Sequence, residues 1–240
     1  MKLELIVHCW RYAKVLTYQL SSLVLHPPST WDNVQMTVFC SPEDKLTIRT
    51  LNYFQKEHGV NIVAYLQTKP DLFRREIGRN KAAIRTTADV VWFLDADYVF
   101  GPGCLEWLQR QACGFQCDRI YFPMSYLWNR TKELGDDHVA FVTEPNVYEI
   151  NPEQFEFTKC TRAIGGLQIV TGDTARKHGY CPDTDRQRPT GGQKWAVRTI
   201  GDKIYRQIIG GPGYRGHKID LPNLFRIRQT QGTVVDTLEV

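Results

Sequence analysis

The 240-residue sequence lacks the marks of several protein classes. No run of about 18 apolar residues is long enough for a membrane-spanning helix, and no basic leader precedes the first strand-like segment. The seven cysteines are an odd number with no Cys-x-x-Cys pair and no spaced histidine pair, which argues against both a disulfide framework and a zinc site. These absences favour a cytoplasmic protein with reduced thiols and no stable membrane insertion.

A strong net charge is also lacking, but the charge is unevenly distributed. The formal net charge is only +4, whereas residues 176–228 contain twelve Lys and Arg against four Asp and Glu. This excess suits an anionic ligand, although a solvated basic surface explains it equally well. Nucleic acid is one possible anion among several, and we do not expect it to be the ligand.

The first hundred residues alternate between strand-like and helix-like patterns. Because the strands are apolar throughout and connected by helices, the order predicts a doubly wound, mostly parallel α/β sheet with right-handed crossovers. The second half is less regular. We expect one domain over 1–240, with a parallel half at 1–100 and a mixed half at 101–240. The expected strands are 3–7, 36–40, 61–66, 89–94, 118–128, 163–173 and 219–229. The expected helices are 12–25, one that starts within 41–44 and is ended by Gly59, 71 to about 87, about 104–113 and about 201–209.

Two acidic residues end the fourth predicted strand. In WFLDADYVF (92–100), Asp95 and Asp97 directly follow an apolar run. Burying a carboxylate is costly unless a cation accompanies it. The carboxyl ends of parallel strands form the ligand-binding edge of such sheets, so we expect this D-x-D pair to hold a divalent cation and, through it, a phosphate.

Several functions are compatible with an apolar strand that ends in D-x-D. DADYV (95–99) matches the motif of haloacid-dehalogenase-like, magnesium-dependent phosphatases, but here three strand-helix units precede it and no later acidic pair completes a metal site. A sugar-phosphate nucleotidyltransferase would need a glycine-rich loop after the first strand, which is absent. A non-catalytic protein that binds carbohydrate or nucleic acid remains a further alternative.

The order of motifs favours another enzyme class. The segments GRNKAAIRTTADVVWFLDADYVF (78–100), GGLQIVTGDTARKHGY (165–180) and GDKIYRQI (201–208) together resemble the GT-A glycosyltransferases, family 2 in particular. The resemblance implies a hexosyltransferase-like enzyme that moves a sugar from a nucleoside-diphosphate sugar to a hydroxyl of a glycan or another acceptor. It also implies inversion at the sugar carbon and dependence on manganese or magnesium.

The resemblance assigns roles to individual residues. Asp97 would coordinate the metal, Asp95 would reach the metal through water or face the ribose, and Gln229 stands where the family often has a metal-binding histidine. Asp202 would be the catalytic base, with Asp173 as the fallback. The donor-binding candidates are His8, Trp10, Arg11, Ser41, Glu43, Arg79, Asn80, Asp95, Asp97, Gly165, Gly166, Arg226 and Arg228.

The identities of donor and acceptor are less defined. The segment Cys40–Asp44 departs from the family's Asp-Asp-Gly-Ser turn, so the base is unidentified and a UDP-sugar is expected only by default. Acceptor contacts are expected in loops 129–146 and 181–195. The candidate acceptor residues are Trp128, Asp136, Asp137, His138 and Trp195.

Overall fold

A computed structural model describes residues 1–129, 144–181 and 203–227, and two β-sheets organise this part of the chain. The first sheet has seven strands among the described residues and the second has four. The sheets are formed from strands β1 to β11, and helices pack beside them.

The first half of the chain forms the parallel part of the first sheet. Strands β1 (Lys2–His8), β2 (Asn33–Cys40), β3 (Ile62–Leu66) and β4 (Val90–Leu94) lie in the order β3-β2-β1-β4. All three pairings between these neighbours are parallel, with Leu3 opposite Val34 on one side and Val90 on the other. Every residue of β4 is buried. The predicted α/β class and doubly wound, mostly parallel sheet are confirmed.

Helices connect these strands as the sequence pattern predicts, with one correction. They are α1 (Ala13–Leu25), α2 (Lys45–His58), α3 (Lys69–Phe73) and α4 (Arg75–Arg85). Asp44 caps α2 by accepting a hydrogen bond from the backbone N–H of Thr47 at 3.2 Å, and Gly59 ends it with a left-handed φ of 66°. The single helix expected over 71–87 is instead two helices, because the backbone of Arg74 is not helical.

The second half adds antiparallel strands and completes both sheets. The remaining strands are β5 (Tyr98–Phe100), β6 (Tyr121–Pro123), β7 (Ser125–Trp128), β8 (Glu156–Lys159), β9 (Leu167–Thr171), β10 (His217–Ile219) and β11 (Leu224–Arg226). The first sheet continues from β4 through β9, β6 and β10, and β9 is antiparallel to β4 and to β6. The second sheet has the order β5-β11-β7-β8. The helices are α5 (Cys104–Ala112), α6 (Gly172–His178) and α7 (203–210), with a 3-10 turn at Pro152–Gln154.

The chain passes from the first sheet to the second at three described places: between β4 and β5, between β6 and β7, and between β10 and β11. The single strands expected over 118–128 and 219–229 are therefore wrong, since each is divided between the sheets. Met124 marks one passage: its N–H donates to Ile219 and its carbonyl accepts from Cys160, both at 2.8 Å. Asn223, with a left-handed φ of 56°, marks another.

The core lies on both faces of the first sheet and includes all of β4. A smaller cluster under the second sheet joins Val15 and Tyr18 of α1 to Val99, Phe225 and Ile227. All seven cysteines are free thiols; Cys113 and Cys117 are exposed and the other five are buried. No helix within the three described ranges is long and apolar enough to cross a membrane.

Candidate functional site

The D-x-D pair lies in the short connection between the two sheets. Asp95 and Asp97 follow β4 and precede β5, at the edge where the parallel strands end. Their backbone is held from both sides: the carbonyl of Asp95 accepts from Gln19 of α1 at 3.0 Å, and that of Asp97 accepts from the N–H of Ile227 at 2.8 Å. The backbone that carries both carboxylates is thus held by elements far apart in sequence.

Two arginines from α4 hold the Asp95 carboxylate. Its Oδ1 atom accepts a hydrogen bond from Arg75 and another from Nη2 of Arg79 at 3.3 Å. Nη2 of Arg226 lies 3.8 Å from the second oxygen, Oδ2. The Asp95 side chain is 20% exposed, so it lies at the surface of the site rather than in the core.

Asp97 is more deeply buried and has one oxygen without a hydrogen bond. Its Oδ2 accepts from Nε of Arg226 at 2.9 Å, whereas Oδ1 is buried and has no partner among the described residues. Burial raises the pKa of this carboxyl and the negative charge of Asp95 adds to the effect, while Arg226 opposes it. The Oδ1 atom is therefore available to another cation or donor.

Arg226 contacts both acids from β11. Its guanidinium carbon lies 5.0 Å from the centroid of the Tyr98 ring and 5.9 Å from that of Tyr126. Burial lowers the pKa of Arg226, but the charges of Asp97, Tyr98 and Asp95 and the hydrogen bond to Asp97 together more than offset this, so the net shift is upward and the side chain stays charged.

Arg79 connects the D-x-D pair to the second half of the chain. It is 1% exposed, and its Nη1 donates to the hydroxyl of Tyr180 at 2.9 Å. That hydroxyl donates in turn to Oε1 of Gln168 at 2.8 Å, and the Tyr180 ring stacks on Tyr205 of α7 with centroids 4.5 Å apart. Asn80 accepts a hydrogen bond from the backbone N–H of Tyr180 at 3.0 Å. The predicted Arg-Asn pair and the Gly-aromatic pair are thus in contact.

His8 lies behind these arginines at the end of β1. It is stacked on Phe39 with centroids 4.8 Å apart, and neither ring nitrogen has a hydrogen-bond partner among the described residues. Burial lowers its pKa well below the ordinary value, and the positive charges of Arg79 and Arg75 add to this. Helix α4 approaches so closely that a Cβ on Gly78 would lie 2.4 Å from Nε2 of His8. The imidazole is therefore neutral.

The other donor candidates from the first half lie at the same edge, around the ends of β1 and β2. The N–H of Arg11, which has a left-handed φ of 50°, donates to Asp44 at 2.5 Å. Trp10 is half-buried, with the Lys69 ammonium 5.0 Å from its ring centroid. Ser41 is buried and accepts from the N–H of the exposed Glu43 at 3.3 Å.

The Gly-Gly segment lies against the D-x-D pair, but Asp173 does not. A Cβ on Gly166 would lie 2.6 Å from Oδ2 of Asp95, and Gly165 is buried beside it. Strand β9 then runs antiparallel to β4, with Leu167 opposite Leu94 and Thr171 opposite Val90. Asp173 follows at the opposite edge of the sheet, roughly 13 Å of strand away, where its exposed carboxylate accepts from Arg176 at 2.6 Å. The prediction that Asp173 shares the cleft is wrong.

Some predicted residues lie outside the described part of the chain, and some contacts were not foreseen. The residues outside it are Asp136, Asp137, His138, Trp195, Asp202, Arg228 and Gln229. Sequence reasoning missed Arg75 and gave Tyr180 no role. Arg75 lies four residues before Arg79 on α4, and this spacing on one helical face is a signal that could have found it.

The residues present fit a divalent cation only in a limited way. No group of three or more His, Cys, Asp or Glu side chains lies together in the described ranges. The unpartnered Oδ1 of Asp97 and the Oδ2 of Asp95 are oxygen donors of the kind that Mn²⁺ and Mg²⁺ prefer. A cation here would take its remaining ligands from a diphosphate and from water, as Mg²⁺ commonly does in phosphate sites.

Comparison with known proteins gives matches in structure alone. No protein-family model matches the chain, and no curated protein matches its sequence. Among solved structures, the mannosyltransferase PcManGT from Pyrobaculum calidifontis, in complex with GDP-Man and Mn²⁺, matches 97% of this chain at a TM-score of 0.54 and 14% identity. S. aureus TarS matches 95% of it at a TM-score of 0.57 and 13% identity. The chain has the GT-A fold.

A second structure of TarS, S. aureus TarS 1-349, matches 94% of the chain at a TM-score of 0.53 and 12% identity. The chain spans 58%, 37% and 60% of the lengths of these three structures, so they extend beyond it. The GT-A fold accounts for the seven-stranded, mostly parallel sheet among the described residues.

Proposed function

We propose that the protein is a glycosyltransferase that moves a sugar from a nucleoside-diphosphate sugar to an acceptor hydroxyl. The arrangement of three arginines around the D-x-D pair carries this proposal. Within the described residues, Arg75, Arg79 and Arg226 against Asp95 and Asp97 sum to a charge of +1 at the ligand-binding edge of a GT-A fold. A diphosphate group complements this charge in sign and position.

The same groups stabilise the departing diphosphate. As the bond to the sugar breaks, negative charge grows on the diphosphate, and fixed guanidinium groups lower the energy of that charge. Asp97, with Asp95 beside it, would hold Mn²⁺ or Mg²⁺, and such an ion, when bound, supplies further positive charge to the leaving group. Gln229, which lies outside the described residues, remains a proposed ligand, and Arg228 a proposed diphosphate contact.

Asp202 remains the proposed catalytic base of an inverting transfer. Helix α7, which follows it in sequence, packs its Tyr205 against Tyr180, and Tyr180 bonds to Arg79. This packing supports the proposal, because it holds α7 against the residue that bonds to Arg79. In this role the Asp202 carboxylate takes the proton from the acceptor hydroxyl as that oxygen attacks the sugar carbon.

GDP-sugars and UDP-sugars are the two candidate donors. PcManGT was solved with GDP-mannose, and the default from the sequence is a UDP-sugar. We propose that the ends of β1 and β2, with Trp10, Arg11, Ser41 and Glu43, contact the nucleoside, since they line the same edge as Asp95. The acceptor would be a glycan or another hydroxyl compound.

A panel of UDP- and GDP-sugars, titrated with and without Mn²⁺ by calorimetry and assayed for transfer, tests the function. Asp97→Asn should abolish metal-dependent donor affinity, because the amide cannot supply the carboxylate charge. Asp202→Asn should keep donor affinity and reduce turnover by about 10²–10⁴-fold. Asp173→Asn, at the opposite edge, should change neither quantity.

Absence of binding to every nucleotide sugar, with or without metal, would refute the proposal. Donor binding without any transfer would instead favour a non-catalytic binding protein. The phosphatase alternative has no support in the geometry, because Asp95, which would be its nucleophile, is held between Arg75 and Arg79.

A further inference from the structure

We propose that Arg226 makes metal binding conditional on the donor: its guanidinium neutralises Asp97 until a diphosphate engages it, so the site binds a divalent cation tightly only together with a diphosphate. This inference rests on the proposed function, since it assumes a diphosphate ligand. In this proposal Arg226 competes with the metal for the Asp97 carboxylate and also contacts the donor.

The position of the guanidinium is the first observation. Arg226 donates from Nε to Oδ2 of Asp97 at 2.9 Å, and its Nη2 lies 3.8 Å from Oδ2 of Asp95. Arg226 thus contacts both carboxylates that would hold a cation. A divalent ion held by the open Oδ1 of Asp97 would be repelled by this positive charge on the same carboxylate.

The second observation is the unused donors of Arg226. Its terminal nitrogens make no hydrogen bond to any residue in the described ranges, because the 3.8 Å separation from Asp95 is too long for one. Guanidinium groups bind phosphate oxygens through such paired N–H groups. The rings of Tyr98 and Tyr126 border the guanidinium, with centroids 5.0 and 5.9 Å from its carbon.

The charge balance favours joint binding. The two carboxylates and three guanidinium groups in the described ranges sum to +1, so a divalent cation alone would raise the charge of this group to +3. A nucleotide sugar carries one negative charge on each phosphate, which would return the total to +1. The site therefore accepts the cation and the diphosphate together more readily than the cation alone.

Titration of Mn²⁺ without nucleotide, followed by electron paramagnetic resonance, tests this directly. Arg226→Gln removes the charge and keeps a side chain that can hydrogen-bond to Asp97, and we expect it to bind Mn²⁺ about 10- to 100-fold more tightly than the wild type. Arg226→Lys keeps the charge and should bind Mn²⁺ as weakly as the wild type. The double variant Arg226→Gln, Asp97→Asn should lose the gain.

The inference is overturned if Arg226→Gln binds Mn²⁺ no more tightly than the wild type. It is also overturned if the double variant, which lacks the Asp97 carboxylate, keeps the increase in Mn²⁺ affinity. The wild type provides a test that needs no variant to fold: UDP or GDP should tighten Mn²⁺ binding at least about tenfold. Equal Mn²⁺ affinity with and without both nucleotides would also overturn it. The Mn²⁺ titrations without nucleotide do not depend on the titrations with nucleotide sugars. If the Mn²⁺ titrations give the expected affinities and no nucleotide sugar binds, the proposed function alone is refuted.

Discussion

Tyr180→Phe removes one hydroxyl from the network that supports Arg79. This hydroxyl accepts from Arg79 at 2.9 Å and donates to Gln168 at 2.8 Å, and all three side chains are at most 2% exposed. The variant keeps the ring, which packs against Phe93 at 4.6 Å and Tyr205 at 4.5 Å between centroids. The substitution therefore tests hydrogen bonding separately from packing.

The expected cost follows from the two bonds. A hydrogen bond to a charged group contributes about 1.5–3 kcal/mol, and a buried amide oxygen left without a donor adds about 1 kcal/mol or more. We expect the free energy of unfolding to fall by about 3 kcal/mol, which for a chain of this size lowers the Tm by about 6–12 °C. Arg79 also loses one of the groups that orient it toward Asp95, so donor affinity should fall as well.

Tyr205→Phe is the matched control. Tyr205 lies in the same aromatic stack, but its buried hydroxyl has no hydrogen-bond partner within the described part of the chain. Its removal should leave the free energy of unfolding nearly unchanged. Thermal denaturation and donor titration of both variants provide the comparison. If Tyr180→Phe destabilises the protein no more than Tyr205→Phe, the hydroxyl does not support Arg79 and the reasoning fails.

Two further predictions concern the same edge of the sheet. Gly166→Ala should weaken donor binding and lower the Tm, because the new Cβ would lie 2.6 Å from the Asp95 carboxylate. Gly114→Ala is the control: its new Cβ would lie 3.6 Å from the nearest atom, the carbonyl oxygen of Gln111, and should change neither quantity in the same assays. Burial lowers the pKa of His8 in the native protein well below 6.5. Between these two pH values the unfolded chain binds more protons at His8 than the native protein does, so the free energy of unfolding should fall as the pH drops from 6.5 toward the native pKa. His8→Phe should flatten this dependence by up to about 1.4 kcal/mol per pH unit in urea denaturation, and identical slopes would contradict the assignment.

The parallel half of the fold could be predicted because its signals are local. Strand β4 is apolar at every position, and α2 has Asp44 and Gly59 at its ends. The division of 118–128 between two sheets has no local signal. It depends on the hydrogen bond that Met124 donates to Ile219 and on the one that it accepts from Cys160, and both partners lie far from Met124 in sequence. The prediction about Asp173 failed for a related reason, since an apolar strand pattern does not reveal whether the strand runs parallel or antiparallel.

The residue pattern alone indicated the two acids of the site, the resemblance to GT-A glycosyltransferases supplied Arg79 and Arg226, and Arg75 was missed. Asp95 and Asp97 form a compact motif after a strand, so the sequence alone indicates a cation at that point. Which cations surround them depends on tertiary structure: Arg75 precedes Asp95 by 20 residues, and Arg226 follows Asp97 by 129. No spacing rule connects residues at such separations, and only the assembled sheets bring them together.

The three residues 95–97 join one sheet to the other, and this has a consequence for folding. The hydrogen-bond ladder of β4 in the first sheet fixes the start of the segment, and the pairing of β5 with β11 in the second sheet fixes its end. A chain in which only the parallel half has formed would carry both acids but neither Arg226 nor the Ile227 bond. We therefore expect a refolding chain to gain donor binding late and in a single step, when both sheets are complete.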